Sequence, residues 1–97
     1  MSTTRTIWKF PIDLADTITV PMPEGAKVLH VGTQQDWVHP TCLWAEVDPD
    51  APMVDRLFTF RGTGWTLGDV GRYVGTVHND PFVWHIYEAL ETEEDGD

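Results

Sequence analysis

No helix declares itself in this chain: apolar spacing of three to four positions, which sets one face of a helix into a core, is not its dominant signal. The pattern is instead one of short alternating runs broken by Pro, Gly, Asn and Asp, the signature of strands joined by turns. Thr4–Phe10 (TRTIWKF) reads as a strand that Pro11 ends. Asp16–Val20 (DTITV) alternates Ile18 and Val20 with Thr17 and Thr19. Lys27–Gln34 (KVLHVGTQ) follows the Pro21–Ala26 turn, with Gly32 a candidate bulge. Thr41–Asp48 (TCLWAEVD) is the most apolar run and precedes a two-proline turn at Pro49–Pro52. Val54–Gly62 places Phe58 and Phe60 on one face, and Leu57, Thr59 and Arg61 on the other. Arg72–His78 and Phe82–Glu88 form an expected hairpin across Asn79–Pro81. Strands at intervals of ~8–12 residues predict an all-β fold, a compact antiparallel sandwich or small barrel of about seven strands. Neither a repeat nor an internal boundary interrupts it. The expectation is a single domain over 1–88 and a disordered acidic tail over 89–97.

A chain of 97 residues has a small core. Five tryptophans and 11% aromatic residues exceed what such a core needs to bury, so a homodimer or larger assembly is expected. The net charge is −10, but the stretch from Glu88 to Asp97 holds six acids, and the remainder carries ten acids against six bases. An acidic chain is a poor partner for long DNA or RNA, where phosphate neutralisation governs affinity. A small phosphate ligand stays open, because two or three local arginines suffice for it. Cys42 is the only cysteine, so no intrachain disulfide forms and a reducing compartment fits. The N-terminus lacks the apolar stretch of a signal peptide, and no run approaches the ~20 apolar residues of a membrane span. A cytoplasmic protein without membrane contact is expected.

The stretch RGTGWTLG, Arg61–Gly68, concentrates the chemistry. It is neither a dinucleotide fingerprint nor a Walker loop, since the glycine spacing is wrong and lysine is absent. By composition, Gly62 and Gly64 allow backbone amides to approach an anion. Arg61 can fork onto a phosphate, Trp65 offers a face to a base, and Thr63 and Thr66 can donate hydroxyl hydrogen bonds. The plainer reading is a strand-to-strand loop with Trp65 folded onto the core. Arg56 and Arg72 flank the same loop and are candidate phosphate ligands, against a plainer pairing with Asp55 and Asp69. Trp37 and His39, in the polar run QQDWVHP, are further ligand candidates. Trp44 reads as core; Trp8 and Trp84 read as half-buried or as a subunit contact. No histidine spacing suggests a zinc site, although His78 and His85 can face each other across a hairpin. Ser2 stands at a terminus and Cys42 in the most apolar run, so covalent catalysis is not expected. Neither a cofactor nor a catalytic residue is expected.

The order IWKFPI, MPEGAKVLHV, CLWAEVDPDAP, FRGTGWTL, RYVGTV and VWHIYE, over about Ile7 to Glu88, resembles a family of small proteins of tailed bacteriophages, many infecting actinobacteria. Such proteins are similar to viral sponges of the anti-CBASS and anti-Thoeris kind. The resemblance implies an immune-evasion protein in the host cytoplasm that sequesters a cyclic nucleotide, most simply a cyclic dinucleotide, without cleaving it. Two alternatives stand beside it: an acidic module that masks a host protein, and a phosphodiesterase acting on the same ligand.

Overall fold

The computed structural model describes residues 4–33, 41–79 and 81–89, and all its regular structure is β. The strands are β1 (Thr6–Ile12), β2 (Thr17–Pro23), β3 (Lys27–Thr33), β4 (Thr41–Val47), β5 (Met53–Gly62), β6 (Arg72–Asn79) and β7 (Phe82–Glu88). They form two antiparallel sheets, one ordered β1-β4-β3 and the other β2-β5-β7-β6. The acidic stretch 90–97 lies outside the described residues.

Alternation decides what each sheet buries. Leu43, Ala45 and Val47 of β4, Phe58 and Phe60 of β5, Met22 of β2, and Ile86 and Val77 of the β6–β7 hairpin meet between the sheets. Phe58 and Phe60 are almost wholly buried. Full burial of a side chain of this kind contributes about 1.5–3 kcal/mol.

Several boundaries differ from the sequence reading. β1 runs on through Pro11, and β2 runs through Pro21 to Pro23. Both strands lie at the edge of their sheets, where a residue without an N–H leaves no ladder bond unmade. The bulge in β3 falls between Val28 and His30 rather than at Gly32. Trp44 is half-buried on the outer face of its sheet, 5.7 Å from the ring of His30. It is therefore not a core residue, because its strand neighbours Leu43 and Ala45 take the inward parity.

The registers define two ends. At one, Ile12 and Thr33 pair with Thr41, and Gly62 pairs with Trp84. At the other, Lys27 pairs with Glu46, and both Phe58 and Arg72 pair with Glu88. The connection over 63–71 leaves β5 at the Trp84 end and enters β6 at the Glu88 end, skipping β7.

Candidate functional site

At the Glu88 end, strict alternation along β7 turns Glu88 to the same side as Ile86 and Trp84, so a carboxylate arrives at the rim of the core. Arg56 of β5 meets it as a fork: its Nε donates to Glu88 Oε2 and its Nη2 to Oε1, while its Nη1 donates to the carbonyl of Ala26 at 2.9 Å. The side chains of Arg56 and Glu88 are only 12% and 7% exposed. Arg72 donates from Nη2 to Glu88 Oε1 at 3.1 Å, yet its side chain is 68% exposed. Burial pushes the Glu88 carboxyl up, but hydrogen bonding and charge from Arg56, then from Arg72, outweigh it and hold the group below the ordinary carboxylate value.

Two adjoining grooves open around this cluster. One, of about 440 Å³, is lined by Glu24, Gly25, Ala26, Val54, Arg56, Arg72, Glu88 and Ala89. The other, of about 350 Å³, lies between β3 and β6 and adds Lys27, Val28, Tyr73 and Val74. Ala26, Arg72 and Glu88 belong to both. Chemically, Arg56 is committed to the carboxylate, whereas Arg72 and Lys27 present cations at the opening. The arginines' partner is thus Glu88 and not Asp55 or Asp69. The charge count had set Glu88 with the acidic C-terminal stretch, although the alternation of FVWHIYE was enough to aim it inward.

The Arg61–Gly68 loop is elsewhere. Arg61 lies about 17 Å along β5 from Arg56 at the usual rise per residue, and on the opposite face by parity. Its Nε donates to the carbonyl of Leu67 at 3.1 Å and its Nη1 to that of Phe60 at 3.0 Å, so the guanidinium closes the loop. Gly64 and Gly68 have φ of 90° and 64°, values that turns require and larger residues resist. Trp65 lies over Gly62, where an added Cβ would stand 2.8 Å from the indole. It meets Trp84 edge-on, with centroids 5.5 Å apart, and is 50% exposed. Thr66 is exposed. The side chain of Thr63 turns to His85, whose Nε2 lies 2.8 Å from Thr63 Oγ1; His85 Nδ1 lies 3.0 Å from Thr76 Oγ1, itself 2.6 Å from the Tyr73 hydroxyl.

The structure therefore gathers Arg56 with Arg72 at one end of the sandwich. It gathers Gly62, Thr63, Gly64 and Trp65 at the other and does not bring Arg61 to the first group. Trp37 and His39 lie outside the described residues; the strand ends on either side of them, Thr33 and Thr41, pair at the Trp84 end. His78 and His85 do not face each other, since His78 pairs with Val83 and His85 with Thr76. Among the described residues no three His, Cys, Asp or Glu side chains cluster to hold a metal. No described helix is long and apolar enough to cross a membrane. Lys27 and Glu24 were not singled out from sequence, because nothing local in PEGAK announces a groove that only the meeting of β3 with β6 creates.

The match to known families spans almost the whole chain, residues 3–97. The chain belongs to the DUF7352 family, described as a domain of unknown function. No curated protein and no solved structure matches it. For this DUF7352 member the geometry at the Glu88 end is accordingly the main guide to function.

Proposed function

We propose that this protein is a non-catalytic binding module that holds an anionic, phosphate-bearing ligand at the Glu88 end. The observation that carries the reading is Arg72: a fork donor, 68% exposed, at the mouth of grooves totalling the scale of a small-ligand site. Glu88, itself forked by Arg56, accepts from Arg72 at 3.1 Å and tethers it before a ligand arrives. Lys27 lines the same opening and supplies a second point charge. With the resemblance described above, the ligand is a cyclic nucleotide signal of bacterial immunity, sequestered intact on behalf of a phage. Arg72 takes one phosphate as a bidentate donor and Lys27 takes another.

A thermal-shift screen against cyclic di- and trinucleotides and cyclic ADP-ribose isomers tests this. A ligand at 100 times its dissociation constant adds ~2.7 kcal/mol of stability. Arg72→Ala is expected to weaken binding about 10- to 100-fold, the worth of a charge-assisted contact of ~1.5–3 kcal/mol. It should leave the melting temperature of the free protein within a few degrees of wild type. Recovery of unaltered ligand after heat denaturation separates sequestration from hydrolysis. A screen in which no nucleotide moves the melting temperature overturns the reading.

A further inference from the structure

Each sheet has two outer strands, and among the described residues three of the four are poor templates for a further strand. β2 carries Pro21 and Pro23, while β3 is bulged between Val28 and His30 and β6 between Tyr73 and Gly75. β1 pairs with β4 without a break in register from Thr6 to Ile12. The parity of its backbone follows from Pro11, which has no N–H and so stands opposite Cys42 as a non-hydrogen-bonded pair. By the period of two, Ile7 likewise turns its N–H and C=O away from β4, towards the open edge of the sheet, whereas the backbone of Trp8 bonds to β4. Ile7 is 58% exposed and Trp8 36%. Trp8 shares the inward parity of Ala45, its pair on β4, and its ring centroid lies 6.3 Å from that of Phe10. It is exposed nonetheless because this flank of the sandwich is open: β3 and β6 pack together on the other side, whereas β1 and β2 scarcely touch.

We propose that the open edge of β1 takes β1 of a second copy of this chain, antiparallel about a two-fold axis at Trp8, so that two three-stranded sheets become one of six strands. Charge favours a second copy there. In a chain of net charge −10, residues 4–12 (TRTIWKFPI) hold two bases and no acid, and the neighbouring Glu46 is matched by Arg5 at 2.8 Å. Copies that repel over most of their surface meet here without setting acid against acid. Register favours Trp8 as the centre. The outward backbone of Ile7 then lies in a hydrogen-bonding position. The two Trp8 face each other as the close, non-hydrogen-bonded kind of pair, with Cα atoms about 4.5 Å apart, and their indoles cover one another on the open flank. A centre at residue 9 sets Ile7 opposite Pro11, which cannot donate; one at residue 7 sets Trp8 opposite Thr6 and leaves the indoles apart. The contact belongs to the sheet that does not carry Arg72, so it stands independently of the phosphate reading.

The test uses the full chain. Wild type is expected to sediment as a dimer at micromolar concentration, with an Ile7 amide that exchanges hydrogen more slowly as concentration rises. Ile7→Pro removes the outward N–H and leaves the β1–β4 bonds in place, so it should keep the wild-type circular dichroism spectrum and sediment as a monomer. Trp8→Cys sets one thiol opposite another within disulfide reach, and a mild oxidant should convert it to a covalent dimer. The native Cys42 is buried and does not compete. Phe82→Cys, at an exposed position of the other sheet, is the control and should stay uncross-linked. If Ile7→Pro does not fold, the wild-type exchange and the cross-link still decide. A monomeric wild type overturns the proposal. So does a folded Ile7→Pro that remains a dimer, or a Trp8→Cys variant that cross-links no faster than Phe82→Cys. None of these outcomes bears on Arg72, since none is read with a phosphate ligand.

Discussion

Glu88 is the one buried carboxylate among the described residues with two arginines on it, and this makes it a pH sensor of stability. Its folded pKa lies below the ordinary 4.5, so the unfolded chain takes up the proton first as pH falls. The stabilisation is therefore complete above about pH 4.5 and is lost as pH drops through the lower folded value. Glu88→Gln leaves Arg56 charged and nearly enclosed, at a cost of roughly 3 kcal/mol at neutral pH. Urea melts of wild type and Glu88→Gln should show this gap at pH 7 and its shrinkage from pH 4.5 downward. A gap independent of pH would show that the carboxylate is not the group that titrates. Arg61 presents the opposite case. Its donors go to two backbone carbonyls of its own loop, so Arg61→Ala should cost about 1 kcal/mol and leave nucleotide affinity unchanged by calorimetry.

At the level of elements, two glycines let side chains or sheets approach where another residue would collide. A Cβ at Gly75, beside the β6 bulge, would lie 2.4 Å from Val31 Cγ1 of β3. Val31 is buried and β-branched, with little freedom to give way. Gly75→Ala should destabilise by about 1–3 kcal/mol, the range for overpacking, read as a lower urea midpoint with an unchanged slope. Gly62→Ala displaces Trp65 instead, a half-exposed ring on an exposed loop. It should alter the near-ultraviolet circular dichroism of the Trp65–Trp84 pair while costing no more than ~1 kcal/mol. A large loss of stability in Gly62→Ala would mean that Trp65 is part of the core.

For the whole molecule, the two ends of the sandwich carry different chemistry: cations around Glu88, aromatic rings around Trp84. The long connection over 63–71 joins them, and Ile7, Trp8 and Met53 add exposed apolar surface. Surface of this kind on so short a chain favours self-association. Light scattering at micromolar concentration is expected to give a homodimer or a larger closed assembly; a monomer there would refute it.

Sequence alone determined the class of fold and most strands, because a period of two between turn residues leaves few other ways to bury Phe58, Phe60 and Ile86. It also contained the inward aim of Glu88, in the alternation of FVWHIYE. What it did not contain is which residues meet. Arg56, Arg61 and Arg72 look like one cluster because they flank one loop in the chain. The tertiary structure parts them, since β6 enters the sheet at the end opposite to the one where β5 leaves it. Strand order and register depend on pairings between residues far apart in sequence, and local pattern carries no record of those. The groove of Arg72 and Lys27 exists only once the two sheets have closed on each other.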